Sequence, residues 1–253
     1  MNGYEEEENS ERLLIFRPIS ILYFILILFW TMLLLPFILL AGGVFSRALG
    51  MPSYLAFIVL LLSLFGSHVN IPVMTVSSPQ PMMSFREVDF FGVRWYMPEF
   101  TYKRRKTVIA INLGGALIPT FVSLYLLLFV VPACETNLMI AYGKIFAAFL
   151  IVTFIVHAVA KPVRGLGIAT PSFVPPFASA LAALAIFPIY TRSNPFIIAY
   201  VAGTLGTLVG ADLLNLDKVS RLGSPLVSIG GAGTFDGIYM TGIMAVLLVM
   251  LTI

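Results

Sequence analysis

Long apolar runs recur along this sequence at lengths that match the thickness of a lipid bilayer. The hydrocarbon core of a bilayer is about 30 Å thick and is crossed by roughly 20 residues of α-helix. Seven runs of this kind fall at 17–42, 53–69, 107–131, 141–160, 173–191, 195–214 and 232–253. They predict an all-α polytopic membrane protein with about seven transmembrane helices, in which residues 1–253 form a single membrane domain.

The low charge content excludes a soluble fold. Charged residues make up 11% of the chain and hydrophobic residues 59%, whereas a soluble domain carries about 25% charged residues. The chain therefore cannot surround a large core with a charged shell, and lipid must be the solvent for most of it. The net charge of +3 does not indicate nucleic-acid binding, because the basic residues lie in short loops between the apolar runs. A single cysteine, Cys134, leaves no pair for an intramolecular disulfide.

The positions of the basic residues predict the orientation, because cytoplasmic loops carry an excess of Lys and Arg. With seven spans and the N-terminus inside, twelve of the 15 basic residues are cytoplasmic. The twelve are Arg12, Arg17, Arg86, Arg94, Lys103, Arg104, Arg105, Lys106, Lys161, Arg164, Lys218 and Arg221, and the other three are Arg47, Lys144 and Arg192. We therefore expect the N-terminus in the cytoplasm, the C-terminus outside, and a multi-pass protein of the plasma membrane.

Two segments outside the apolar runs are long enough to have a character of their own. Residues 1–16 form an acidic cytoplasmic tail, and residues 71–106 form a cytoplasmic loop rich in aromatic and basic residues. Alternating apolar residues around Gly92 predict a short β-hairpin in this loop. Rings and cations suit the lipid headgroup region, which favours an anchor on the bilayer over a dedicated partner site.

Two carboxylates, Asp212 and Asp236, lie within or beside apolar runs. Acids at membrane depth are costly and usually face the interior of the bundle, where they mark function. The two runs are antiparallel, so both acids are expected near the cytoplasmic face, where their side chains could meet. Gly231, Gly233 and Thr234 precede Asp236 and allow close approach of a substrate or an ion. The alternative is that both acids are hydrated at the interface.

Two amides occupy comparable positions in the first half of the chain. Asn70 follows the second run, and Asn112 opens the third run beside Gly114-Gly115-Ala116. The last two runs have the same arrangement, with aspartates beside Gly230-Gly231-Ala232. This pattern is typical of a parallel internal repeat, although chance also explains so short a match. A proline-rich stretch, 162–176, predicts an extended segment that is either a wall of a cytoplasm-facing cavity or a stiff loop.

The stretches GSHVNIP, INLGGALIP, GIATPSFVPP, GTLVGADLLNL and SIGGAGTFDGIYMTGI resemble a prokaryotic family of integral membrane proteins of unknown function. The resemblance spans nearly all of residues 55–253 and implies a membrane protein without an established activity. A weaker similarity links the chain to intramembrane aspartyl proteases of the GxGD type, which place one aspartate in a helix and a second after a Gly-x-Gly motif. Here Thr234 and Phe235 intervene before Asp236, and no Pro-Ala-Leu element follows.

Three functional hypotheses remain open at this stage. In the first, an intramembrane aspartyl protease-like hydrolase uses Asp212 and Asp236 as a catalytic pair that shares one proton and activates water against a membrane peptide. In the second, an ion- or proton-coupled transporter binds a monovalent cation through Asn70, Asn112 and both acids. In the third, the protein is a non-catalytic scaffold. None of these needs a cofactor or a resident metal, and the oligomeric state is left open.

Overall fold

We describe the protein from a computed structural model. The described residues are 15–16, 21–22, 25–26, 28–29, 32, 42–43, 45–90, 93–163, 167–219, 224–231 and 237–253. Most of the acidic tail and most of the first predicted span therefore lie outside the described residues.

Six apolar helices follow the first predicted span. They are α1 (Ser53–Gly66), α2 (Leu113–Cys134), α3 (Leu138–Val159), α4 (Val174–Ile186), α5 (Pro195–Lys218) and α6 (Gly237–Met250). Of these, α2, α3 and α5 are long and apolar enough to cross a membrane. The other three have 13 or 14 residues, about 20 Å at 1.5 Å per residue. Hence three spans have the required length, and the number seven stays a prediction.

The predicted start of the third span, at residue 107, is wrong. Residues 107–112 are extended and end the strand β3 (Val93–Asn112), and the helix α2 begins only at Leu113. Their apolar character arises from burial within a sheet, because β3 pairs in parallel with β6 (Leu226–Ile229). A strand covered on both sides reads as a continuous apolar run, which hydropathy alone does not distinguish from a helix.

The predicted hairpin is present, but it is long rather than short. Strand β2 (Val69–Phe90) pairs antiparallel with β3 from Asn70 opposite Asn112 to Phe90 opposite Val93, with one irregularity between Pro72 and Met74. At about 3.3 Å per residue the ribbon is roughly 70 Å long. A two-residue strand, β1 (Ile15–Phe16), pairs with its base, so the sheet order is β1-β2-β3-β6.

The strands β3 and β6 lie side by side and lead into similar sequences. Both strands run in the same direction and are followed closely by Gly-Gly-Ala. Residues 114–116 lie in the first turn of α2, whereas residues 230–232 come directly after β6 and precede α6 in the chain. The base of the sheet therefore brings the two halves of the proposed internal repeat next to one another. A second small sheet pairs β4 (Lys161–Val163) with β5 (Gly167–Ala169), so the proline-rich stretch begins as extended backbone, as the sequence predicts. The prediction is wrong for its end, because Pro175 and Pro176 lie in the first turn of α4, where a backbone N–H has no helical partner to lose.

The helix α5 lies at the centre of the bundle. Two thirds (67%) of its most apolar window is buried, against 33% for α2 and 39% for α3, and it contacts α3, α4 and α6. Glycines allow these close approaches: a Cβ on Gly206 would lie 2.8 Å from a methyl group of Val152 on α3. Large apolar side chains on α2 and α3 instead face outward, with Phe129 65% and Phe154 76% exposed. Such a surface is compatible with lipid and not with water.

Candidate functional site

A cavity of about 100 Å³ lies at one end of the central helix. Its walls come from the C-terminal part of α5, from β5, from β6 with the residues that follow it, and from the start of α6. Four polar side chains line it: Thr170, Thr207, Asp212 and Ser228. The remaining described lining residues are small or aliphatic, so these four supply the polar side chains of the cavity within the described part of the chain.

Asp212 is the only one of the four lining side chains that can carry a charge. Its Oδ2 accepts a hydrogen bond of 3.2 Å from the backbone N–H of Gly230, in the segment that follows β6. Within the described part of the chain, no basic side chain lies at salt-bridge distance from this carboxyl group. The carboxylate is therefore held by one backbone donor and has no compensating positive charge among the described residues.

The backbone at Gly230 requires glycine. Its φ is +73°, a region that residues with a Cβ rarely adopt. A Cβ at this position would also lie 2.5 Å from the Cβ of Ala116 on α2. The close approach of the segment after β6 to α2 therefore orients the N–H of Gly230 toward Asp212.

The helix that carries Asp212 is locally widened. Residues Leu208–Asp212 form a π-helical turn, which leaves carbonyl groups without their usual helical partners. The side-chain amide of Asn215 donates to Gly210 O at 3.1 Å and to Ala211 O at 2.8 Å, and His157 Nδ1 lies 3.3 Å from Gly210 O. Single π-helical turns occur frequently at functional sites, and here the turn positions Asp212 at the cavity.

Asn70 and Asn112 meet at the base of the hairpin, both almost completely buried. Asn112 Nδ2 donates to Asn70 Oδ1 at 3.2 Å and to Ser67 O at 2.7 Å, while Asn112 Oδ1 accepts from Gly115 N at 2.8 Å. Neither amide lines the cavity. They connect to it through Ser228, whose hydroxyl donates to Asn70 Oδ1 at 2.5 Å.

The other residues proposed from the sequence divide into two groups. Gly231 lines the cavity beside Asp212. Gly233, Thr234 and Asp236 lie outside the described residues, so the separation of the two carboxyl groups stays undetermined and the catalytic pair stays a prediction. Gly237, the next residue in the chain, does line the cavity.

Three hydroxyl-bearing residues of the cavity were missed in the sequence. Thr170 follows a strand and Ser228 lies in one, and hydropathy did not reveal either strand. All three residues belong to the stretches that carry the family resemblance. Thr207 was hidden within an apolar run. Its Oγ1 is buried and has no hydrogen-bond partner among the described residues, which is uncommon for a polar atom inside a protein.

No group of three or more His, Cys, Asp or Glu side chains that could hold a metal occurs in the part of the chain that the structure describes. Oxygen atoms from one carboxylate and several hydroxyl groups are instead ligands suited to a proton, a water molecule or a small hard cation.

These features define a helical membrane protein with a polar cavity at one end of its central helix. The family model described as "Protein of unknown function (DUF1614)" matches residues 64–248. The chain belongs to this family, which confirms the family resemblance. No curated protein and no solved structure matches the chain, and none of the comparisons supports the similarity to aspartyl proteases.

Proposed function

We propose that this protein binds a small monovalent cation, H⁺ or Na⁺, at Asp212 and uses that site in ion-coupled transport. The observation that carries the proposal is the placement of Asp212 in a polar cavity of a membrane protein, without a basic partner among the described residues. The supporting arguments are the charge of the site, the size of the cavity and the connection of the cavity to the sheet.

An acid in this position needs a positive partner. Placing a carboxylate at membrane depth costs roughly 3 kcal/mol on insertion scales, and one hydrogen bond from Gly230 offsets only part of that cost. The remaining cost is removed either by protonation or by a bound cation. The second oxygen of the carboxyl group, together with the hydroxyl groups of Thr207 and Ser228, offers the coordination that such a cation requires.

The cavity has room for a small ion. A single water needs only about 10–15 Å³ of volume open to the centre of a water-sized sphere, and the cavity offers about 100 Å³ of this volume. A small cation together with water molecules therefore fits beside Asp212.

The site is connected to elements that could report its occupancy. Asp212 contacts Gly230, and Gly230 follows β6, which pairs with β3 at the base of the hairpin. Ser228 on β6 also bonds Asn70 on β2. A cation that binds a carboxyl oxygen of Asp212 weakens or breaks the hydrogen bond from Gly230. The bound cation thereby shifts the position of β6 relative to α5.

The first test is the thermal unfolding of the purified full-length protein in detergent, with NaCl compared with choline chloride at equal ionic strength and with pH varied separately. A ligand that binds the folded state stabilises it by RT ln(1 + [L]/Kd), about 2.7 kcal/mol at one hundred times Kd. For Na⁺ binding the unfolding midpoint rises with NaCl only. For proton binding it rises as the pH falls.

The matched variant is Asp212→Asn, which resembles the protonated acid. It should unfold at or above the wild-type temperature and lose the response to Na⁺ or pH, whereas Asp217→Asn, on the exposed surface, should keep it. An unchanged response in Asp212→Asn would contradict the proposal.

A second candidate function is hydrolysis by Asp212 and Asp236. It is favoured by one observation: Gly237, which directly follows Asp236, lines the same cavity as Asp212. The test is cleavage of membrane peptides by the reconstituted protein, followed by mass spectrometry. Loss of cleavage in both Asp212→Asn and Asp236→Asn, with cleavage retained in Asn70→Ala, would support this function over ion binding.

The proposal includes seven spans with the N-terminus in the cytoplasm and the C-terminus outside, in a prokaryotic plasma membrane. Under this orientation the cavity opens toward the cytoplasm, and the long hairpin projects from the same side. Its support is the distribution of twelve against three basic residues. Labelling of Cys134, described in the Discussion, tests it.

A further inference from the structure

A row of hydroxyl groups leads from the cavity into the middle of the central helix. Tyr200, Thr204 and Thr207 are each 2% exposed or less, and their spacing of four and three residues places them on one face of α5. Asp212 lies about 18 Å from Tyr200 along the helix axis. Thr204 is thus near the middle of a helix that crosses the membrane.

Two of these hydroxyl groups are unusual because no group in the described part of the protein satisfies them. The buried Oγ1 atoms of Thr204 and Thr207 lack a hydrogen-bond partner, as does that of Thr153 on the neighbouring α3. Thr153 belongs to the same region, since a Cβ on Gly210 would lie 2.6 Å from its carbonyl oxygen. The Tyr200 hydroxyl interacts electrostatically with Tyr239, and it lies close enough to the Thr204 hydroxyl to interact with it, although the geometry between the two hydroxyl groups is not that of a hydrogen bond.

Other hydroxyl groups of the helices, buried or half-buried, behave differently. Thr120 donates to Ala116 O at 2.7 Å, Ser179 to Pro175 O at 2.7 Å and Thr241 to Gly237 O at 2.5 Å. Each bonds the carbonyl four residues earlier, which is the usual solution for Ser and Thr in an apolar helix. Thr204 and Thr207 have the same option in α5 and do not use it. Their hydroxyl groups therefore remain available to a ligand.

The row ends at an apolar barrier. The ring of Phe45 meets that of Tyr200 edge-on, with centroids 5.5 Å apart and planes at 70°. Beyond it along α5, Ile197 and Ile198 are each 1% exposed. Hydroxyl groups therefore follow one another along one face of α5 from the Asp212 cavity to Tyr200, and apolar side chains lie beyond Tyr200.

We infer that Thr207, Thr204 and Tyr200 form a path that conducts protons between the Asp212 cavity and the middle of the membrane. This inference rests on the proposed function and specifies the cation as H⁺. Neighbouring positions on one helix face have Cβ atoms about 5–6 Å apart, a gap that one water spans with two hydrogen bonds of about 2.8 Å. Na⁺ needs several oxygen atoms around it at once, and one oxygen per turn does not supply them.

Proton conduction along this path conserves all atoms and bonds. Each hydroxyl or water oxygen accepts a proton on a lone pair and releases its own proton to the next oxygen. Asp212 accepts the proton at one end, and Tyr200 receives or supplies it at the other. Transfer beyond Tyr200 requires that the apolar side chains of Phe45, Ile197 and Ile198 move apart, as the alternating access of an ion-coupled transporter would provide.

The test uses the full-length protein in liposomes that contain a pH-sensitive dye, with a potassium potential set by valinomycin. We expect the wild type to move protons in response to the potential. Thr204→Val and Thr207→Val keep the shape of the side chain and remove the hydroxyl, so each should slow proton flux at least tenfold. Because neither hydroxyl has a hydrogen-bond partner among the described residues, both variants should unfold at or above the wild-type temperature.

The control is Thr120→Val, which removes a hydroxyl that is bonded within α2, and it should conduct at the wild-type rate. Wild-type flux in Thr204→Val and Thr207→Val, together with lost flux in Asp212→Asn, would refute the path and leave the cation site standing. Wild-type flux in Asp212→Asn would refute the site itself. A wild type that conducts no protons but is stabilised by Na⁺ would refute the path and retain the Na⁺ form of the proposed function.

Discussion

Replacing Asn112 by alanine tests whether the buried amide pair holds the base of the hairpin to the bundle. The substitution removes both donors and the acceptor of a side chain that is 2% exposed. Gly115 N and Ser67 O then lose the bonds of 2.8 Å and 2.7 Å that they make with it. Each backbone group left without a partner costs about 1–3 kcal/mol, so the folded state should lose about 2–6 kcal/mol.

The matched control is Asn137→Ala. Asn137 also caps a helix, since its Oδ1 accepts from Ile140 N at 3.2 Å, but it is exposed and water can replace it. Loss of such a cap costs about 1 kcal/mol. With 2–4 °C of unfolding temperature per kcal/mol for a chain of this size, the midpoint should fall by about 12 °C in Asn112→Ala and about 3 °C in Asn137→Ala.

The assay is thermal unfolding in detergent, monitored by circular dichroism, with and without the cation. Because Asn112 does not line the cavity, the variant should keep the cation response of the wild type. Equal losses of stability in the two variants would refute the buried network. A lost cation response would show instead that the amide pair supports the cation site, either directly or through Ser228.

Three further predictions concern other parts of the molecule. Cys134 is exposed at the end of α2, so a membrane-impermeant maleimide should label it in intact cells. In a Cys134→Ser background, Glu87→Cys on the hairpin should be labelled only after lysis; the reverse pattern would invert the topology. Lys144 is 5% exposed and donates to Phe187 O at 2.9 Å, to Thr191 O and to Ser193 Oγ. Lys144→Met should therefore lower the free energy of unfolding by about 2–4 kcal/mol, measured by thermal unfolding. A change below about 0.5 kcal/mol would contradict the burial of these hydrogen bonds. Gly230→Ala should destabilise the folded state by about 2–5 kcal/mol, because of the strain at positive φ and the clash with Ala116, and it should weaken the cation response. The control Gly143→Ala, which has open space around its Cβ position, should be neutral or stabilising.

The sequence by itself determined that most of this protein is surrounded by lipid, and it identified Asp212 as a polar residue within an apolar run. Charge content and apolar runs require lipid whatever the detailed fold, because the cost of exposing such runs to water depends on composition and length. The runs at 141–160 and 195–214 correspond to helices α3 and α5 within a few residues. The sequence also selected Asp212, because an acid beside an apolar run is costly in any arrangement.

Hydropathy and composition do not distinguish a strand from a helix within an apolar segment. Residues 107–112 have the composition of a membrane helix, and only their pairing with β2 and with Leu226–Ile229 makes them a strand. Of these two partners, Leu226–Ile229 lies more than one hundred residues away in the chain. A local pattern carries no information about it.

Only the tertiary structure decided which polar groups act together. Asn70 and Asn112 were expected to bind the same ion as Asp212, yet they bond each other and reach the cavity through Ser228. Thr204 and Thr207 look like ordinary threonines in an apolar helix, because the sequence does not show whether a hydroxyl bonds its own helix. That difference depends on side-chain rotamer and on the neighbouring helices, and it separates a satisfied hydroxyl from one that is available to a proton.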